Sequence, residues 1–389
     1  MFEFDYGLTA DQKEIQALAR KIAREKIRPV AAKYDESGEF PHEIMKTMAK
    51  AGLFGVFIPE EYGGTGGGVF NMCLVAEELS RECGGIALGC AGTALGTFPI
   101  ILFANDAQKK KYLPDIASGK KLAAFGLTEA GAGSDAGAIK TTATKDGNYY
   151  ILNGTKQWIT NAGEAETYTV IAMTDKSRGA RGASGFIVEK GTPGFEFGKK
   201  ENKLGIRASA TRELIFQDCK IPKENLFGKE GSGFLIAMRA LDATRPGVAA
   251  QALGIATGAL DLSVQYSRTR RQFGKPISSF QGVQFMLADM ATQIEAARTL
   301  IYTAARAVDN KHPNRGAISA MAKLFASDTA MRVTTDAIQV YGGYGYMKDY
   351  PIEKYFRDAK ITQIYEGTNQ IQREVIALEL IKEASRKGM

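Results

Sequence analysis

Eight apolar side chains, Val283, Leu287, Met290, Ile294, Ala297, Ile301, Ala304 and Val308, recur in alternating steps of four and three. A helix returns side chains to one face at that spacing, whereas a strand would scatter them over both. At ~1.5 Å of rise per residue such a helix is about 40 Å long, and helices of similar length must cover its seam. The spacing suits the core of an internal bundle, and equally a coiled-coil-like contact between chains. A further helix is predicted after it, carrying Ile318, Ala322, Phe325 and Val333.

The opening third also reads as helix. Thr9 and Gln12 form a capping-box pattern ahead of Ile15, Leu18, Ala19 and Ile22, and Pro29 lies near the helix end. A second helix is predicted from Pro41 to Gly52, and a third through Met72, Val75, Ala76, Leu79 and Cys83. The glycine-rich stretch 63–68 between them is a loop. The middle third changes character. Asp146-Gly147 and Asn153-Gly154 are turn signals between β-prone runs, and residues 168–173, 185–188 and 214–216 are strand candidates. This order predicts an α+β protein: an N-terminal helical domain over 1–120, a middle antiparallel β-domain over 121–233 and a C-terminal four-helix-bundle-like domain over 234–389.

Composition narrows the function. There are only two histidines, His42 and His312, so a histidine-rich zinc site is excluded and no metal is expected. Cys73, Cys83, Cys90 and Cys219 lack metal-ligand spacing. The acidic Met1-Phe2-Glu3-Phe4-Asp5 start has no signal-peptide pattern, so reduced thiols and a cytoplasmic location are expected. No run of about 18 apolar residues predicts a membrane span. The net charge of +7 is spread along the chain rather than gathered in a stripe, which argues against nucleic acid as the partner.

Five segments carry chemistry. Residues 127–135 hold Gly131 and Gly133, with Gly137 just beyond, but a Thr-rich polar stretch and a hairpin follow instead of a helix and crossover. That excludes a Rossmann fingerprint and leaves a loop whose bare backbone can approach a planar or anionic ligand. Residues 153–161 hold the lone Trp158, with Thr160 at the next same-face position: a core side chain, or a platform for a planar ring with a hydroxyl at its edge. Residues 241–246 read as a helix opening with Pro246 in its first turn, and Asp242 and Arg245 as an ion pair able to hold a phosphorylated ligand. Residues 268–275 are basic with one aromatic: a solvated helix end or a pyrophosphate site. Residues 361–371 place Glu366 between an apolar-biased stretch and Gly367.

Taken together and in order, these segments resemble the acyl-CoA dehydrogenase family across nearly the whole chain. Residues 204–209, 342–346 and Arg357-Asp358 match as well. Ala130 departs from the proline common there, and only a local loop effect is expected. The resemblance implies an FAD enzyme, a homotetramer, that acts on an acyl-CoA and passes electrons to an electron-transferring flavoprotein. It implies cofactor contacts from Phe125, Leu127, Thr128, Gly133, Ser134, Trp158, Ile159 and Thr160. Further contacts, many from a neighbouring subunit, would come from Arg270, Gln272, Phe273, Gln281, Gln339, Val340, Gly342 and Gly343. Thr368, Asn369 and Gln370 would complete the site. Ser134, Asp242, Ala243, Thr244, Arg245, Tyr365 and Gly367 would contact the acyl-CoA, and Glu366 would be the base.

The implied reaction removes an α-proton to Glu366 and a hydride from Cβ to the flavin. A thioester α-proton is only weakly acidic, so the carboxylate must be made more basic by exclusion of water. Relatives that carry the base on the helix of the 242–245 segment need a carboxylate where this chain has Thr244. The reverse, reductive direction, a flavin oxidase and a DNA-associated relative on the same scaffold are the competing readings. Six of the seven residues 91–97 are small. Either they leave room for a branched, cyclic or aryl acyl group, or they let helices approach closely.

Overall fold

The computed structural model describes residues 4–387; the first three residues of the acidic start and the last two of the third predicted domain lie outside it. Helices α1 (Ala10–Ile22), α2 (Ala31–Ser37), α3 (His42–Lys50), α4 (Gly68–Ser80), α5 (Gly84–Phe103) and α6 (Asp106–Ala117) come first. The capping box at Thr9 forms in both directions. Strands β1 (Ala123–Gly126), β2 (Thr142–Asp146), β3 (Tyr149–Thr160), β4 (Thr167–Met173), β5 (Ala183–Glu189), β6 (Phe195–Phe197), β7 (Thr211–Pro222) and β8 (Leu226–Phe227) follow. The chain then returns to helix with α7 (Gly233–Thr269), a small hairpin of β9 (Arg271–Gln272) and β10 (Lys275–Pro276), α8 (Gln281–Asp309), α9 (Arg315–Tyr341), α10 (Ile352–Ile361) and α11 (Asn369–Arg386).

The sheet runs β6-β7-β3-β2-β4-β5-β8, with β1 paired to β4. Most of its ladders are antiparallel, as expected of the middle domain. The ladders are antiparallel except β1–β4 and the short β2–β4 contact, which are parallel. The β2–β3 hairpin lies between β1 and β4 in sequence and reverses the chain, so β4 returns in the direction of both β1 and β2. Asp146-Gly147 makes that hairpin turn, but Asn153-Gly154 does not turn the chain. It lies inside β3, where the register to β7 slips between Leu152 and Gly154. Gly154 there has φ +140, and a Cβ would fall 2.6 Å from Thr141 Oγ1, so the glycine serves a bulge.

The apolar seam of α8 is an intrachain core. Met290, Ile294, Ala297, Ile301 and Ala304 are buried, with α8 packed on α4, α7 and α9, while Val283, Leu287 and Val308 are half-buried. Helix α7 is the spine of the molecule, buried almost continuously from Ala243 to Leu260 and touching α4, α5, α8 and α9. By length and composition α5 and α7 would suffice to cross a membrane, but both are packed inside the fold. Pro246 lies in the interior of α7 rather than in a first helical turn, because the helix begins at Gly233. It has no N–H for the carbonyl of Asp242 one turn back.

Candidate active site

A cavity of about 380 Å³ opens where α5, the loop after β1, the end of β3, α7 and the 365–367 loop converge. Phe125, Leu127, Thr128, Gly133, Ser134, Trp158, Ile159 and Thr160 line it, and so do Thr244, Arg245, Tyr365, Glu366 and Gly367. Met72, Leu88, Ala91, Leu95, Leu241 and Val248 supply its apolar wall. Four of the five sequence segments read separately are thus brought to one cavity, and the basic segment 268–275 is not among them.

The two sides are held differently. On the sheet side the loop after β1 is fixed by Lys156, fully buried in β3, whose Nζ donates to Leu127 O at 3.0 Å and to Glu129 Oε1 at 2.7 Å. Glu129 also accepts from the N–H groups of Lys140 and Thr141 at 2.6 and 3.0 Å. Burial pushes Lys156 down to about 8, partly offset by Glu129. Burial would raise Glu129, but Lys156 and the hydrogen bonds outweigh it and hold its pKa below the usual value. Trp158 sits at φ +57, a region a bulky side chain enters at a cost of order 1–3 kcal/mol, and 57% of it stays exposed over the cavity.

On the helix side Glu366 is presented from a left-handed turn, φ +51, followed by Gly367 at φ +89. That φ at Gly367 is one that side-chain-bearing residues rarely adopt, and a Cβ there would also fall 2.6 Å from Gln372 Nε2. Glu366 Oε2 accepts from the Thr244 hydroxyl at 2.7 Å. Burial raises the Glu366 pKa to about 7, against the lowering effects of the Thr244 hydrogen bond and of Arg245 and Lys323. Arg245 pairs with Asp242 at 3.0 Å, and its Nε is buried with no hydrogen-bond partner among the described residues. The Tyr365 hydroxyl donates to Gln251 Oε1, and Gln251 Nε2 donates to Gly84 O at 3.0 Å, which ties the loop to α7 and α5.

Several predicted residues lie elsewhere. Asp242 and Ala243 line a neighbouring groove with Arg239 and Arg315. Arg270, Gln272, Val340, Gly342 and Gly343 line a second concavity of about 550 Å³, where Arg270 stacks on Tyr344 with 5.1 Å to the ring centroid. Phe273, 91% exposed, Gln281 and Gln339 stand at the surface. Thr368 caps α11, Gln370 is exposed, and the side chain of Asn369 is buried in bonds to Ser327, Asp328 and Lys323. Sequence reasoning gave no role to Lys156, Gln251 or Lys323. For the last two the available signal was a lone polar side chain in an otherwise apolar helical stretch, 249–253 and 320–326.

A half-buried carboxylate with a pKa near neutrality, sharing a cavity with an aromatic platform and a bare glycine loop, suits an enzyme that moves a proton beside a planar cofactor. The comparisons say which. Models of the acyl-CoA dehydrogenase N-terminal, middle and C-terminal domains match residues 9–120, 124–219 and 231–381. An acyl-CoA dehydrogenase of Bacillus subtilis is 50% identical over 375 residues, 96% of this chain and 99% of that one. The butyryl-CoA dehydrogenase structure from Megasphaera elsdenii superposes with a TM-score of 0.95 at 48% identity, over 97% of this chain and 100% of that one. A chain in the structure of the electron transferring flavoprotein of Acidaminococcus fermentans superposes with a TM-score of 0.95 at 53% identity, covering 97% and 99%. The chain belongs to the acyl-CoA dehydrogenase family, an oxidoreductase family whose cofactor is FAD.

The residues present fit that cofactor. Trp158 and Phe125 offer flat apolar faces, and Gly131 and Gly133 have nothing within 4 Å of where a Cβ would stand. The loop backbone is therefore open to a ring system or a pyrophosphate.

Proposed function

We propose that the chain converts an acyl-CoA to its trans-2-enoyl-CoA, with Glu366 as the base that takes the α-proton. The observation that carries this reading is the place of Glu366, half-buried in the cavity with one oxygen held by Thr244, where desolvation lifts its pKa to about 7. A carboxylate near its ordinary value would be too weak a base; one near neutrality is still ionised enough to act and basic enough to take the proton. Thr244 holds one oxygen, and the other has no partner among the described residues. Arg245 and the bonded Tyr365 position the thioester end of the substrate, while Met72, Leu88, Leu95 and Val248 exclude water from the acyl chain. FAD supplies the two-electron acceptor for the hydride that leaves Cβ. The remaining positions on the sheet side, 125–134 and 158–160, would hold its ring.

The same reading makes the functional unit a homotetramer. The concavity at Arg270 and Gly342–Gly343 shares no lining residue with the Glu366 cavity, and it suits the far half of FAD bound on a neighbouring copy. The acceptor of the electrons is an electron-transferring flavoprotein, supported by the A. fermentans match. The four buried free thiols support a cytoplasmic place of action. The acyl group we favour is branched, cyclic or aryl-bearing, for the reason developed in the Discussion.

The test is anaerobic addition of a panel of acyl-CoAs while the bound flavin is watched for bleaching. Glu366→Gln preserves shape but cannot take the proton. It should keep FAD and acyl-CoA binding and lose flavin reduction by roughly 10²–10⁴-fold. Reduction at the wild-type rate would place the base elsewhere.

A further inference from the structure

We infer that Lys323 is a positioning residue for Glu366: from α9 it pins the left-handed turn that presents the carboxylate, and it sets an uncompensated cation beside it. The inference rests on the reading of Glu366 as the base. Lys323 is fully buried, where a lysine is expensive to keep unless its charge has a use. Its Nζ donates to Gly367 O at 2.8 Å and to Asn369 Oδ1 at 2.9 Å. Asn369 Nδ2 donates to Ser327 Oγ at 2.9 Å and Asp328 Oδ1 at 2.7 Å, so the far end of the clamp is anchored to α9 as well. Gln372 Nε2 supplies the second bond to Gly367 O, at 2.9 Å. The ammonium is therefore not free to swing away from the turn.

Lys323 and Arg245 differ in how their charges are paired. The charged groups that act on Lys323 are Glu366, Arg245 and Asp328. Arg245, which lowers the Glu366 pKa more than Lys323 does, has a carboxylate partner of its own in Asp242 at 3.0 Å. No carboxylate lies within ion-pair distance of Lys323 among the described residues. Its positive charge is left to act on Glu366, and it favours the ionised carboxylate against burial. Burial in turn draws Lys323 down to about 7. Each group thus favours the charged form of the other, against the burial that opposes both.

The test uses the FAD-loaded enzyme and the variants Lys323→Gln, which keeps a donor but drops the charge, Lys323→Met, which drops both, and Lys323→Arg, which keeps the charge. Three quantities are read: FAD content, the pH dependence of single-turnover flavin reduction, and the pH midpoint of the Glu366 carboxylic C=O infrared band, assigned by its loss in Glu366→Gln. Loss of the cation should move the midpoint and the acidic limb of reduction toward alkaline pH in both Gln and Met variants. A one-unit move is a tenfold loss on that limb. The Met variant should also lower the high-pH plateau, and the Arg variant should stay near wild type. A merely structural lysine would change the plateau and leave both midpoints in place, and that result overturns the inference. So does a failure of both neutral variants to hold FAD. If Glu366→Gln reduces flavin normally, the functional reading falls and takes this inference with it. If Glu366→Gln is inactive while the Lys323 variants titrate as wild type, only this inference falls.

Discussion

The hydrogen bond from Thr244 to Glu366 gives a quantitative handle on the base. Thr244→Val keeps the shape of a buried side chain and deletes the one hydroxyl that donates to Oε2, at 2.7 Å. A hydrogen bond to a charged group contributes ~1.5–3 kcal/mol, and each pKa unit corresponds to ~1.4 kcal/mol, which bounds the shift at about one to two units. The hydroxyl can also rotate to accept from the protonated acid, so the lower figure applies. Glu366 starts at about 7 and should move to about 8. At pH 7 the ionised fraction then falls from about half to about a tenth, a roughly fivefold slower reduction. Above both values the rates should converge. Stopped-flow bleaching of the flavin by a saturating acyl-CoA, across pH, reads the limb directly. A limb that stays where the wild type has it would refute the claim that this bond tunes the base. A uniform loss at every pH would show that Thr244 instead places the substrate.

Three further outcomes follow from the same structure. Arg298→Met should destabilise the fold by about 3–5 kcal/mol, because Glu77, bonded to Arg298 Nε at 2.9 Å, would be left buried with Tyr302 alone. Burial holds the Glu77 pKa above the usual carboxylate value, so denaturant melts should show the loss shrinking as pH falls and Glu77 is protonated. The purified enzyme should carry about one FAD per chain and scatter light as a tetramer, with FAD lost on dissociation; a monomer that keeps FAD tightly would contradict the shared site. Arg245→Ala should depress kcat/KM with substrate and leave FAD content unchanged, which reduction kinetics and the visible spectrum together measure.

The sequence was informative where a local period or a local composition settles the matter. The α8 seam, the capping box at Thr9 and the bare loop 131–133 are of this kind. What depended on partners distant in sequence was not legible. The parallel β1–β4 pair joins residues 123–126 to 167–170, and no spacing within either strand encodes that direction. Asn153-Gly154 carries the same dipeptide signal as a hairpin turn, but the ladder to β7 decides that it is a bulge. Pro246 looked like a helix start because proline is favoured in a first helical turn, whereas the helix had already begun at Gly233. The role of Glu366 is invisible locally as well. Its pKa is raised by burial and held back by a hydrogen bond from Thr244, 122 residues away.

The substrate prediction turns on how the small residues of α5 are spent. Gly96 is committed to packing: a Cβ there would lie 2.4 Å from Ala124 N, so glycine lets α5 approach β1. Thr93 and Thr97 are buried and bonded along the helix, with Thr93 also taking the amide of Asn161 at 3.2 Å. Gly92 lines the cavity, but a Cβ there would meet Thr160 Cγ2 at 2.6 Å, so it serves both purposes. Ala91 is the one small residue of the segment without such a packing duty that faces the cavity. Together with Met72 it also borders a void of about 10 Å³ between α4 and α5. That void is below the size of a methyl group, but Met72 is unbranched and adaptable, and its displacement would join the two spaces. The room is therefore on the α4–α5 side of the cavity. A branched or ring-bearing acyl group should be preferred to butyryl-CoA by about tenfold, the scale set by one or two methylenes of fit at ~1–3 kcal/mol. Ala91→Leu should remove that preference by filling the space while sparing butyryl-CoA. The comparison is kcat/KM for butyryl-, cyclohexanecarbonyl- and a phenyl-substituted acyl-CoA in both proteins. If butyryl-CoA wins in the wild type and Ala91→Leu changes nothing, the small residues of α5 serve helix packing alone.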